Sequence, residues 1–513
     1  NNASAKGKPT TTTTSPTTTT TTVPTTTTLP PPPLPELGKG LVNAGASKIS
    51  IYPRPADYNG YWERDPDKCK KEGEGLITQL PDDAGDHLAT AGSPWPENPD
   101  CIYMGGFGIG PANPLIDVDA NGLYVRSAAI NDGTDTLVLT IIDGEGYFWD
   151  YDKKCADQTP ENQCGSKQIA ESLGAELGIP SSNFVIAATH SHASPDFIGG
   201  WGFVPDWYMH QVRDSIKQSI REAVANERPA TLEVGEENAR PFNNERRDTY
   251  RSAEEQQVTW LRALSAGTAT PETIMTIGAY AAHPTTKGTN GGVGSADWVG
   301  VFEKELEARF GGIGLHFMTG LGNMSTAGGT QMGQRLADII PDIGSGLKLT
   351  NTDVRVAQTS WSQPATNVPL TALGKPGFFD RQFDEAPAEV RTGKSPDTAP
   401  CESASPVSVE VVASAAWIGD QFALTAAPGE VFSNLTNQLK DHSGALVTMP
   451  LGQANDALGY MPQSFEMSPV GQQGLGFVAG GVLVVNYEDA YSIDRCYGDM
   501  DLETTLNLLN SIR

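Results

Sequence analysis

The segment Phe184-Val185-Ile186-Ala187-Ala188-Thr189, running directly into His190-Ser191-His192, decides how the chain is read. Its apolar residues follow one another without alternation and stop at a polar turn. That is the pattern of a short strand buried on both faces rather than one with a wet side. Five more runs share it: Leu137 to Ile142, Ile274 to Ala282, Gly314 to Thr319, Phe422 to Ala427 and Leu446 to Leu451. Between and after them lie amphipathic stretches that read as helices: Gln168 to Leu177, Asp206 to Asn226, Trp298 to Phe310, Met332 to Ile340 and Val431 to Leu439. In the second of these, Trp207, Val212, Ile216, Ile220 and Val224 recur at helical spacing and form a core face. Strands alternating with helices define the α/β class, here a mixed sheet core covered by helices.

The folded part is expected from about Gly38 to Arg513, as one domain without internal repeats. Trp361 to Pro406, rich in Pro, Gly and charge, reads as a long excursion from it. Residues 8 to 36 are almost entirely Thr and Pro, so residues 1–37 are read as an extended, solvated stalk that has too little apolar surface to fold. The chain has 513 residues and a formal net charge of -27, with no clustered Lys/Arg face, which excludes nucleic acid as a partner. No apolar run of about 18 residues occurs, so no transmembrane segment is expected.

Six cysteines without a CxxC pair, beside a Thr/Pro stalk, point to disulfides in an oxidising compartment. Cys155 and Cys164 flank a polar loop and form the readiest pair. The other four admit three pairings, of which Cys69–Cys101 with Cys401–Cys496 is one.

Ligands in α/β sheets gather beyond the carboxyl ends of strands, so the residues that end these runs carry the functional reading. The first run ends at His190 and His192, whose two-residue spacing in extended backbone would project both rings to one side. Ile274–Ala282 ends at His283-Pro284-Thr285, and Gly314–Thr319 at Gly320-Leu321-Gly322-Asn323-Met324-Ser325. Phe422–Ala427 leads to Glu430, and Leu446–Leu451 leads through Asn455-Asp456 to Tyr460. Three of only seven histidines thus fall at strand ends. Two imidazoles, a carboxylate and one further oxygen donor make a zinc shell with room for water, which points to metal-assisted hydrolysis. Ser325 offers a hydroxyl nucleophile as a second route, although no G-x-S-x-G elbow surrounds it.

Taken together and in order, these segments resemble the neutral ceramidase family. Ala188-Thr189-His190-Ser191-His192-Ala193-Ser194-Pro195 is similar to its ATHTHSGP segment, and Ala282-His283-Pro284-Thr285 to its HPT segment. Gly322-Asn323-Met324-Ser325 is similar to its GDxSPN box, and Ala427-Pro428-Gly429-Glu430-Val431-Phe432 to its PGEFT box. Met104-Gly105-Gly106-Phe107-Gly108 and Leu123 to Ala128 resemble its opening glycine-rich loop and LYARA-type strand. The resemblance runs from Ile102 to Tyr460. It implies a secreted zinc amidase that hydrolyses the N-acyl amide bond of ceramide, with zinc on His190, His283, Glu430 and Tyr460, His192 as acid-base residue, and Ser325 beside the reacting carbonyl. It also implies a substrate-placing arginine. Asn243-Asn244-Glu245-Arg246-Arg247 is a loose counterpart of the family's NRS-type box, offering Arg246 first and Arg247 second.

Three departures stand out: Asn323 in place of Asp, Thr326-Ala327 in place of Pro-Asn, and Pro462-Gln463 after Tyr460 with no second tyrosine close by in sequence. The first two favour attack by water over attack by Ser325. The third leaves open another N-acyl lipid or N-acyl amino acid as substrate. The chain ends soon after this region, so the immunoglobulin-like domain of longer family members is not expected. Asn323-Met324-Ser325 is formally an N-glycosylation sequon, and a glycan there would block the site, so a bacterial secreted protein, held at the cell surface by its stalk, is the expectation. A non-catalytic stalked adhesin is the remaining reading, and it gives no reason for His, His, Glu and Tyr to recur at strand ends.

Overall fold

Strands without alternation need cover on two faces, and the computed structural model supplies it with two stacked sheets between outer helices. The structure describes residues 37–69, 98–106, 113–156, 158–247, 253–288, 290–368, 370–371, 380–381, 383–468 and 487–513. The Thr/Pro tract, the Phe107-Gly108 end of the glycine-rich loop and parts of 361–406 lie outside them.

The larger sheet contains β1 (Val42–Ser50), β2 (Tyr124–Asn131), β3 (Thr136–Ile142), β4 (Phe184–Ala188), β5 (Arg228–Asn238), β6 (Gln257–Ser265), β7 (Thr273–Tyr280) and β8 (Ile313–Met318). Their order across the sheet is β8-β7-β6-β5-β1-β2-β3-β4, with a short strand Leu347–Lys348 added on β5. The pairs β3/β4 and β7/β8 are parallel and the other neighbours antiparallel. A second sheet of β9 (Val354–Pro364), β10 (Val407–Ile418), β11 (Phe422–Ala426) and β12 (Val447–Leu451) runs in that order, with β11/β12 parallel.

Burial follows the two-residue period of a strand. Leu137, Leu139 and Ile141 of β3 and Val185 and Ala187 of β4 face the second sheet, where they join Ile418, Phe422, Leu424, Met449 and Leu451. The intervening Val138, Ile142, Phe184 and Ile186 face outward, onto Ile169 and Leu173 of α1 (Ser166–Leu177) and Tyr208, Val212, Ile216 and Ile220 of α2 (Asp206–Ala225). The other end of the sheet is covered by α3 (Asp297–Phe310) and α4 (Met332–Ile339) through Trp298, Phe302, Leu306 and Leu336. On the far side, α5 (Ser433–His442) and α6 (Tyr497–Ser511) cover the second sheet through Leu435, Leu439, Tyr497, Leu502 and Leu509. Each fully buried Leu or Ile in these layers contributes about 1.5–3 kcal/mol. The helix ends lie within two residues of those read in the sequence, except that α5, read as ending at Leu439, runs three residues further to His442. Trp361 to Pro364, read as the start of an excursion, is instead the end of β9, paired to β10 as far as Pro364↔Ser408.

Three disulfides join Cys69–Cys101, Cys155–Cys164 and Cys401–Cys496. The last ties a hairpin arm (Cys401–Ser403) to the residue before α6.

Asp501 on α6 is fully buried, and no described residue hydrogen-bonds either carboxylate oxygen. Burial pushes its pKa from the ordinary 3.8 up to about 8. Folding therefore binds this proton more tightly, so the contribution to stability is full below the unfolded value and is lost as the pH rises through about 8. Asp501→Asn removes that loss. It is expected to raise the thermal midpoint by a few degrees at pH 8 and hardly at all near pH 4; an equal shift at both pH values would show that the Asp501 charge is not the cause.

Candidate active site at the joined strand ends

Strand ends from both sheets meet on one edge, stitched by main-chain hydrogen bonds. Ala188 N donates to Gln453 O at 3.0 Å, Asn455 N to Ile186 O at 2.6 Å, Gly452 N to Met318 O at 2.8 Å, and Gly322 N to Val431 O at 2.8 Å. The approach leaves no space for a side chain at Gly322, where a Cβ would sit 2.4 Å from Glu430 O. His190, Gln453 and Asn455 hold left-handed backbone at φ 56°, 50° and 66°. Each costs of order 1–3 kcal/mol, a strain tolerated where surroundings over-determine it and concentrated at functional sites.

Because His190 is left-handed, the extended-strand geometry expected for the His190/His192 pair does not hold. The turn nevertheless brings the rings to 5.2 Å, with His283 at 5.3 Å from His190 and 6.0 Å from His192. Side-chain nitrogens of all three histidines lie within 4.8 Å of one another. Glu430 closes the group: its Oε2 is 2.9 Å from His283 Nε2 and 3.4 Å from His190 Nε2. A short parallel strand pair in the register Glu430↔Tyr460 sets Tyr460 beside it, with its ring 6.3 Å from that of His283.

The remaining imidazole nitrogens meet carbonyls: His190 Nδ1 with Glu145 O at 2.7 Å, His283 Nδ1 with Met324 O at 3.1 Å, and His192 Nδ1 with Gly106 O at 2.6 Å. This leaves the Nε2 atoms as the inward donors, the outer-shell arrangement that orients metal-ligating histidines. Donors bound to zinc at about 2.0–2.1 Å in a tetrahedron lie about 3.3 Å apart, close to the spacings from Glu430 to the two Nε2 atoms. The residues present fit a zinc ion.

Charges in the protein alone agree with a cation-seeking centre. Burial depresses His190, but Glu430 and Glu145 outweigh it and hold the imidazole up at about 9. Burial and Arg246 bring His283 down to about 4. Burial, together with the two other histidines, takes His192 well below its ordinary value. Burial would raise Glu430, yet His190 and His283 hold it below the usual carboxylate range. One proton thus shares the space with an ionised carboxylate, and a divalent ion would replace it.

Arg246 and Arg247 part company here. The strand Met324–Thr326 pairs with Asn243–Glu245, which delivers Arg246 to the site; its Nη2 donates to Tyr460 Oη and to Gly322 O, both at 3.0 Å. Arg247 is buried and donates to Asp489 Oδ1 at 2.8 Å. Ser325 is half-buried, one residue beyond the carbonyl that accepts from His283, and no described base hydrogen-bonds its hydroxyl. Asn323 is buried, with its amide nitrogen donating to Ala253 O and its oxygen accepting from Ser433 N. It is a bracket between loops, and the folded chain offers no exposed amide there for a glycan.

Sequence reasoning missed several neighbours. Glu145, just past the end of β3, places Oε1 3.3 Å from His192 Nε2 and 3.9 Å from His190 Nδ1. The strand-end rule would have found it had carboxylates been weighed as heavily as histidines. Trp201 sets its ring 5.7 Å from His192. Tyr491, remote in sequence, accepts from Tyr460 N at 3.2 Å through its carbonyl, so a second tyrosine does reach the region. Burial and then the Glu430 charge raise its pKa to about 12.

The class defined by this geometry is an α/β protein of two stacked sheets, with a three-histidine, one-carboxylate centre where their strand ends meet. No protein-family model and no curated protein matches the sequence. Among the solved structures that match the fold are neutral ceramidase from Pseudomonas aeruginosa, with a TM-score of 0.57 and 15% identity over 93% of this chain and 74% of that one, and a ceramidase complexed with C2, with 0.58 and 14% over 93% and 75%. The chain has a neutral-ceramidase-like fold.

His283→Ala is expected to abolish stoichiometric zinc, measured by elemental analysis after zinc loading and dialysis; a full equivalent retained would remove His283 from the donor set. Arg247→Ala, which strands a buried Asp489 charge, is expected to cost about 3–5 kcal/mol in denaturant unfolding, and an unchanged midpoint would contradict its anchoring role.

Proposed function

We propose that the chain is a secreted, zinc-dependent amidase that cleaves the N-acyl amide of ceramide to a fatty acid and a sphingoid base. The observation that carries this is Glu430 Oε2 lying within 3.4 Å of two imidazole Nε2 atoms, in a chain that shares its fold with ceramidase structures. His190, His283, Glu430 and Tyr460 would hold the zinc, which when bound acidifies water and polarises a carbonyl.

The protein's own groups do the rest. His192, kept neutral by its surroundings and fixed by Gly106 O, accepts the proton of the attacking water and returns it to the leaving amine. Arg246 supplies a fixed positive donor for the negative charge that develops on the carbonyl oxygen. Ser325 hydrogen-bonds the substrate rather than attacking it, since no described base reaches its hydroxyl. Buried walls at the Glu145 and Glu430 ends keep bulk water from weakening these charges.

Three disulfides support an oxidising, extracellular setting. No helix among the described residues is long and apolar enough to cross a membrane, and residues 1–37 are proposed as the stalk that spaces a bacterial enzyme domain of residues 38–513 from its surface.

The test is fatty-acid release from an N-acylsphingosine at neutral pH, quantified by mass spectrometry, untreated, after chelation and after zinc is restored. Release lost on chelation and regained with zinc is the expected result. No release by protein carrying a full zinc equivalent would reject ceramide in favour of another N-acyl lipid or N-acyl amino acid. Release undiminished in protein shown to be zinc-free would overturn the metal reading and favour Ser325.

A further inference from the structure

The short helix Tyr487–Ala490 carries two consecutive acids that face two consecutive arginines: Asp489 pairs with Arg247, while Glu488 pairs with Arg246 and also lies 3.9 Å from Arg247 Nε. Asp489 Oδ1 accepts from Arg247 Nη2 at 2.8 Å, with neither side chain exposed, and its other oxygen accepts from Ser468 N at 2.9 Å. Arg247 is held further by its own main chain, whose N donates to Glu245 Oε1 at 2.8 Å, and its guanidinium lies over the Phe432 ring. This pair fastens the helix to the arm that ends in Arg246.

Glu488 is thereby delivered to the other arginine. Its Oε1 accepts from Arg246 Nε at 3.0 Å, and its side chain is 3% exposed against 17% for that of Arg246. Arg246 Nη2 donates to Gly322 O and Tyr460 Oη. Three contacts on two of its nitrogens fix the plane of the guanidinium; with only one, rotation about the last side-chain bonds would swing the head. Gly322 and Tyr460 lie at the site, and a merely solvated arginine would need no buried carboxylate behind it.

We propose that Glu488 is a positioning residue: it acts through Arg246, holding the guanidinium against Tyr460 and directed at the substrate carbonyl. This rests on the amidase reading for its catalytic consequence, though not for its geometry. A positioned charge contributes mainly once the transition state develops. Glu488→Gln, which keeps size and an acceptor but loses the charge, is expected to lower kcat about 10- to 100-fold with little change in KM, zinc content or thermal midpoint. The double-mutant cycle with Arg246→Ala decides the route: in that background Glu488→Gln should cost less than about twofold, because the group it positions is gone. Full additivity, or an unchanged kcat in the single variant, overturns the proposal.

A readout independent of activity separates this proposal from the function it rests on. The Arg246 Nε–H signal, assigned in ¹⁵N spectra by its absence in Arg246→Lys, should exchange slowly in the native protein and lose that protection in Glu488→Ala, which has no acceptor. Should the native protein cleave no N-acyl amide, that loss would still support the positioning contact while the amidase reading failed. A protected signal that persists in Glu488→Ala would overturn the contact itself. If Glu488→Ala were unstable, Glu488→Asp, one methylene shorter, would serve for the same signal, with protection again expected to fall.

Discussion

Everything at the edge of this molecule depends on one carboxylate oxygen. Glu430 Oε2 stands between His283 Nε2 and His190 Nε2, and the three residues follow β11, β7 and β4, which belong to different sheets. Those contacts exist only if the two sheets are in register to within a fraction of an ångström. Hydrogen bonds that cross from Ala188, Gly322, Gly452 and Asn455 to the opposite sheet supply that register. The apolar layer of Leu139, Ile141, Phe422, Leu424 and Met449 behind them supplies the stiffness. A buried anion among imidazoles would be costly by itself; here the backbone lattice pre-arranges it, and the cost is borne by the core.

The same lattice explains the strained backbone. A strand that ended in ordinary extended geometry at His190 would continue along the sheet, away from Glu430. The left-handed turn sends His190 back over the strand end, where Glu145 O receives Nδ1. Histidine has no intrinsic liking for that conformation, so it persists because the surrounding hydrogen bonds and packing leave it no alternative.

Much of the architecture was legible because burial on two faces leaves a plain mark. The β3, β4, β7, β8, β11 and β12 runs contain almost nothing polar, and their ends pointed at His190, His283, Glu430 and Tyr460. The strands that escaped are of another kind. Arg228–Asn238 carries Arg228, Glu233, Glu236 and Glu237, and its middle alone is buried, so its composition resembles a loop. Val407–Ile418 mixes Ser and Glu into its first half and small residues into its second, which hides the period. Tyr491 was invisible for a different reason: it reaches the site through tertiary folding, with no local pattern around it, whereas Glu145 does stand at a strand end and went unweighed. The distinction between Arg246 and Arg247 also needed the antiparallel pairing of Asn243–Glu245 with Met324–Thr326, since that pairing, extended by Arg246 N donating to Asn323 O, sets how the chain leaves the strand.

The Cys401–Cys496 bond spans 95 residues, and within that span lie Glu430, Tyr460 and Glu488, whereas His190, His283 and Arg246 precede it. The centre is therefore divided between an earlier half that bears the histidines and Glu145 and a closed covalent loop that brings Glu430, Glu488 and the tyrosine. Closing so long a loop removes a large share of the unfolded segment's freedom. Assembly of the three-histidine, one-carboxylate centre is thus coupled to oxidation: in a reduced chain the segment that carries Glu430, Tyr460 and Glu488 would lose this covalent tether.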